Sequence, residues 1–130
     1  MQIGPMTLMD GYLLLGPEAE VETLESHAQK LFFMQKNINW WIGDLVNFGE
    51  ARWGDELWQA IPEGVSETMI GRFVAMSRKV KPLDRVPSAS WTMHSISARV
   101  ESNLRKALLN HAVSEGMETD EFREYLKRMT

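Results

Sequence analysis

Apolar side chains recur along most of this chain at intervals of three and four, which places them on one face of an α-helix. Val21, Leu24, Ala28, Leu31 and Phe32 predict a first helix, opened by Pro17 and by an acidic turn of Glu18, Glu20 and Glu22. Acidic side chains there suit the positive end of a helix dipole. Asn37-Ile38-Asn39 offers a break or cap, although one continuous helix fits the spacing as well. Residues 38–53 read as a second helix with Ile38, Trp41, Ile42, Leu45 and Phe48 on one face. Trp40 and Val46 point elsewhere, so this helix is expected to be covered on more than one side, at the centre of the core. Shorter helices are expected over 55–61, stopped by Pro62, over 66–80, stopped by Lys81-Pro82, and from Pro87 towards Val100. Ser102–Ser114 and Thr119–Met129 complete the set, with Gly116 as the stop between them. Residues 1–16 leave this rhythm, punctuated by Gly4-Pro5, Gly11 and Gly16, and Tyr12–Leu15 there reads as a short strand or an extended arm. The expected fold is all-α, a compact multi-helix domain over 17–130 preceded by a short extended N-terminal arm over 1–16.

Two stretches carry a more specific spacing. In Ala60–Ile70 an alanine is followed by a glycine four residues later, Gly64, and by an apolar residue six further on, Ile70. This is the spacing of a helix-turn-helix: a small residue where two helices cross, a glycine for the left-handed turn, and an apolar plug. Val65 and Phe73 fall where further core contacts belong, and Ser66 can cap the second helix. Glu63 and Pro62 depart from the pattern. Ala112, Gly116 and Phe122 repeat the spacing, with Tyr125 in the place of Phe73. One or two helix-turn-helix units are therefore expected, over about 55–80 and over 103–129. Glu118, Asp120 and Glu121 at the start of the last helix would repel phosphate, so the first unit is the stronger candidate for nucleic acid.

Charge sharpens that choice. The net charge of −4 hides a segregation. Residues 1–70 hold three basic side chains against eleven acidic ones, whereas 71–110 hold eight basic ones against two acidic. A positive block of this kind can steer a polyanion even when the whole chain is acidic. Within it, the exposed early positions of the helix at 66–80 would be Ser66, Glu67, Thr68, Gly71 and Arg72. From there side chains reach base edges in the major groove, and Arg72 has the shape for a bidentate contact with guanine. Arg78, Lys79, Lys81 and Arg85 follow and are the candidate phosphate contacts.

Other chemistry finds little support. Cysteine is absent, which excludes disulfides, thiolate zinc sites and cysteine nucleophiles. No phosphate loop, Gly-x-Ser-x-Gly elbow or His-Glu-x-x-His motif occurs, so no enzyme and no cofactor are expected. His111 and Glu115 stand one turn apart, two ligands without a third. Asp44 and Glu50 read as helix caps or partners of Arg52, and Trp40, Trp41, Trp53 and Trp58 as core. The longest apolar runs are of four residues, too short for a membrane span, and no secretory signal is expected. The expected location is the cytoplasm of a cell, or of a host if the gene is viral.

The segment Asn39-Trp-Trp-Ile-Gly-Asp44-Leu-Val-Asn-Phe-Gly-Glu50-Ala-Arg-Trp-Gly54 resembles the tryptophan-rich signature of the regulators typified by the activator of lincomycin biosynthesis. That family also occurs in phage and plasmid genes, and the resemblance extends in order over about residues 20–128. It implies an all-helical DNA-binding domain akin to partition-type helix-turn-helix proteins. The leading expectation is a sequence-specific DNA-binding regulator. The alternatives are a DNA-recognition subunit of a phage packaging or plasmid partition machine and a protein-interaction module that reuses the corner. The expected partners are double-stranded DNA and a second copy of the chain, met through the arm and the acidic helix near Glu18, since useful specificity comes from two copies on a twofold axis.

Overall fold

The computed structural model describes residues 1–16 and 20–130, without the side chain of Glu22. The expected helix opening and dimer contact at Pro17 and Glu18 lie outside the described residues.

The chain is mostly helical but not all-α, which corrects the expected class. Its start is a three-stranded antiparallel sheet of β1 (Gln2–Ile3), β2 (Met6–Met9) and β3 (Tyr12–Leu15), in that order. Two glycines make this meander possible. Gly4 and Gly11, with φ of +57° and +87°, each sit in a two-residue loop, and these loops pair Ile3 with Met6 and Met9 with Tyr12. Strands of two to four residues are too short to show a period of two, and for that reason the segment reads as an arm. The Gly16 N–H donates to the Pro5 carbonyl at 3.0 Å. Given this register, Tyr12 and Leu14 turn their backbone groups towards β2, while Leu13 and Leu15 turn theirs outward. All four side chains of β3 are exposed.

Two compact units follow from the packing, Met1–Lys36 and Asn37–Thr130. The boundary falls inside α1 (Val21–Trp53), a single helix of 33 residues that runs uninterrupted through Asn37–Asn39. In the first unit the buried side chains among the described residues are Met6 and His27. The second unit continues from α1 with a 3-10 helix (Gly54–Ala60), α2 (Glu67–Lys79), a 3-10 turn (Pro82–Asp84), α3 (Trp91–Ile96), α4 (Ser102–Ser114) and α5 (Thr119–Met129). Local chemistry sets most of these ends. Ser66 and Ser90 accept from the Met69 and Met93 N–H groups, Glu101 accepts from Asn103 and Leu104, and Glu118 with Glu121 forms a capping box.

Three apolar clusters fill the second unit. Val46 of α1 packs with Leu57, Ile70 and Val74. Trp40 packs with Phe73, Met76, Val80 and Trp91. Met93, Leu108, Leu109, Phe122 and Leu126 join α3, α4 and α5. Of the predicted apolar stripe of α1, Ile42 packs against this core, which is otherwise built on the side of Trp40 and Val46. Ile38, Trp41, Leu45 and Phe48 are exposed, whereas Trp40, Gly43, Val46 and Gly49 are buried. Close backbone approach is the reason. A Cβ at Gly43 would collide with the Phe73 carbonyl and the Ser77 hydroxyl, and one at Gly49 with the Leu57 side chain. Of the four clustered tryptophans only Trp40 is core; Trp41, Trp53 and Trp58 are exposed. No described helix is long and apolar enough to cross a membrane.

Candidate nucleic-acid interface

The first helical corner keeps part of the expected geometry. Gly64 takes a φ of +83°, and Ile70 and Phe73 are buried as plugs. Ala60 is exposed and marks no helix crossing, because the element before the turn is a 3-10 helix anchored instead by Leu57 and Ile61. The second corner matches its template more closely. Ala112 and Phe122 are fully buried, Gly116 has a φ of +64°, and the Met117 N–H donates back to the Ala112 carbonyl at 2.9 Å. Its outer start still carries Glu118, Asp120 and Glu121, all exposed.

α2 buries Ile70, Phe73, Val74, Met76 and Ser77 and turns the opposite arc to solvent. That arc holds Glu67, Thr68, Gly71, Arg72, Ala75, Arg78 and Lys79, with Glu67 and Arg78 at one margin. Its middle is low, since Ala75 is small and nothing lies within 4 Å of where a Cβ on Gly71 would stand. The Arg72 guanidinium stands 5.9 Å over the Trp91 ring, and this contact sets the direction of the side chain. Of the expected base-contacting residues, Ser66, Glu67, Thr68 and Arg72 are all exposed at or near the start of α2. The Ser66 hydroxyl is occupied by capping, accepting from the Met69 N–H at 3.2 Å.

The four expected phosphate contacts divide into two pairs. Lys79 and Lys81 are exposed and form no ion pair among the described residues. Arg78 and Arg85 are held by α1. Asp44, Asn47 and Glu50 stand at intervals of three along that helix, on one flank. Arg85 meets both Asp44 carboxylate oxygens at 2.8 Å, donates to the Val80 carbonyl, and lies 4.2 Å over the Trp40 ring. Arg78 donates to Asn47 Oδ1 at 2.7 Å and to Glu50 at 3.3 Å. Asp44 and Glu50 therefore pair with these two arginines and not with Arg52. The Arg85 hydrogen bonds hold the Asp44 carboxyl below the usual carboxylate range; partial burial opposes them, and the Arg85 charge and the Ser77 hydroxyl assist.

This arrangement gives the Trp-Trp-Ile-Gly-Asp and Gly-Glu run a physical meaning. Trp40 is the platform under Arg85, Gly43 and Gly49 admit the neighbouring elements, Glu50 holds Arg78 in the last turn of α2, and Asp44 holds Arg85 in the segment after it. The signal that could have exposed these partners is the repeated glycine-acid dipeptide six residues apart, at 43–44 and 49–50.

His94, given no role from sequence, is a second fastening. Its Nε2 accepts from the Val86 N–H at 2.9 Å while its Nδ1 stands 2.7 Å from the Ser90 carbonyl, so the ring is neutral with its proton on Nδ1. Burial pushes its pKa down; the Ser90 carbonyl acts the other way, and the Arg105 and Arg85 charges reinforce the lowering. Lys106 adds a tie from α4, donating to the Leu83 carbonyl at 2.9 Å. Arg105 is buried and donates to the Ala98 and Val100 carbonyls. Of the eight basic residues in the positive block, Arg72, Lys79, Lys81 and Arg99 remain as exposed cations outside such ties. Among the described residues no group of acids and histidines could hold a metal ion, and His111 instead stacks on Tyr125. Comparison with family models, with curated proteins and with solved structures returns no match.

Proposed function

We propose that this chain is a sequence-specific double-stranded DNA-binding protein, a transcriptional regulator that presents α2 to the major groove and acts in the cytoplasm of a bacterial or phage-infected cell. The observation that carries this reading is the outward arc of α2. Thr68 and Arg72 offer polar groups to base edges, Gly71 and Ala75 let the helix backbone come close, and Lys79 closes the arc with positive charge. The fastened turn after α2 then holds Lys81 beside the groove, where a phosphate contact fixes register. In this reading Arg85 and Arg78 position the basic segment and do not touch phosphate. The resemblance of residues 39–54 to the lincomycin-type regulators supports the same class.

The test is selection of preferred sites from random duplex DNA, followed by titration of the selected site. Arg72→Ala is expected to cost about 1–3 kcal/mol on that site and to relax the base preference at one position. If no sequence is enriched and wild-type binding to duplex shows no salt dependence, the DNA reading falls and the corner is a protein-binding element.

A further inference from the structure

The stretch of α1 within the second unit has two apolar faces, and the core uses one. The other is made of Ile38, Trp41, Leu45 and Phe48, exposed to 43%, 40%, 60% and 58%. Their spacing is three, four and three, the alternation of a and d positions in a heptad. Trp53, half exposed, meets Phe48 edge to face at 5.9 Å. Beside them an apolar groove of about 430 Å³ runs past Leu57 and Ile61, with Glu56 and Gln59 as its polar lining residues among those described.

We propose that this face is the interface with a second copy of the chain, packed antiparallel across a twofold axis. Three observations select that occupant. A heptad seam is filled by knobs of the same spacing, and a like helix brings them. The two positions also differ in kind: the a sites are aliphatic, Ile38 and Leu45, and the d sites aromatic, Trp41 and Phe48. Antiparallel packing sets a against d, so Leu45 meets the partner copy's tryptophan and Ile38 its phenylalanine. Parallel packing would stack tryptophan on tryptophan, leaving mismatched layers. Area is the third. The aromatic side chains Trp41, Phe48 and Trp53 present about 200 Å² each and are about half exposed, roughly 300 Å² per copy, and with Ile38, Leu45 and the apolar lining of the adjoining groove a pair approaches about 1,000 Å², the size at which specific interfaces begin. Nucleic acid and anionic lipid are poor occupants, because residues 37–70 carry six acidic side chains against one basic one. The dimer does not rest on the DNA reading, and it moves the expected contact from the arm and the helix start near Glu18 to the stretch of α1 from Ile38 to Phe48.

Sedimentation of the full chain without DNA tests it. The wild type is expected to be a dimer, and Leu45→Lys, at an exposed position, to keep its helical circular dichroism while weakening association about thirtyfold or more. Leu13→Lys in β3 is expected to leave the dimer intact. Since the chain lacks cysteine, Trp41→Cys mixed with Leu45→Cys under mild oxidation should give the mixed cross-link in preference to either homodimer. A monomeric wild type, a Leu45→Lys protein as dimeric as the parent, or loss of the dimer in Leu13→Lys alone would overturn the assignment. Cross-linking confined to Leu45→Cys with itself would overturn the antiparallel packing.

Discussion

His94 shows how one side chain can carry a pH dependence. Its ring accepts from the Val86 amide only while Nε2 is unprotonated, and the folded pKa lies below the ordinary value of about 6.5. An unfolded chain takes up a proton at this residue as pH falls through about 6.5, whereas the folded chain resists until lower pH. Stability linked to His94 is therefore complete above about pH 6.5 and is lost as pH falls from there towards the folded pKa. Imidazole resonances followed by NMR against pH should show one histidine titrating below the usual range, and urea unfolding should show a midpoint that drops on acidification. A His94 ring that protonates at or above about 6.5 would remove the linkage. Asp44 works in the same sense further down the scale: its carboxylate, held by Arg85, contributes in full above the ordinary aspartate pKa and loses that contribution as pH falls from there towards its lowered folded value.

For the elements, the decisive residues are glycines, and two of them should respond oppositely to one substitution. Gly43→Ala forces a methyl into the Phe73 carbonyl and the Ser77 hydroxyl, and overpacking of that kind costs roughly 1–3 kcal/mol or more. Gly71→Ala lies in an exposed helix interior with open space around it, so it is expected to stabilise by about 0.5–1 kcal/mol. Paired denaturation curves check both, and equal effects from the two would refute the close crossing of α1 and α2. The contrast also marks what was legible in the sequence. The limits of α2, α4 and α5 could be read from local signals, because Ser66, Gly116 and Pro82 act on neighbouring backbone. Which face of α1 is buried could not, since periodicity finds an apolar stripe but does not say whether large side chains or glycines meet the neighbour. The site divides along the same line. Arg72, Lys79 and Lys81 stood out as basic residues on a predicted helix, while the link from Asp44 to Arg85 spans 41 positions and has no local trace. Tyr12–Leu15 reads equally as a short strand or an arm, and its pairing into a sheet has no trace in strands too short to show a period.

Across the whole molecule, charge is sorted along the chain, and salt should reveal how much of it is free. Lys79→Gln and Lys81→Gln should each lower the slope of log affinity against log salt by about one, and weaken all sequences alike. Arg85→Gln should leave that slope unchanged and show itself in stability, because its charge is already matched by Asp44. A drop in slope for Arg85→Gln equal to that of either lysine would mean that the ion pair opens to meet phosphate. The sheet has a different consequence at this scale. The N–H and C=O groups of Leu13 and Leu15 face outward from an edge that is apolar on both sides, and natural sheets protect such edges with lysine, proline or a bulge. With no such guard among its four residues, β3 is expected to let concentrated protein add strand to strand at a spacing of about 4.8 Å, and Leu13→Lys to slow the rise of a dye signal for cross-β material on long storage; equal rates for the two proteins would clear this edge.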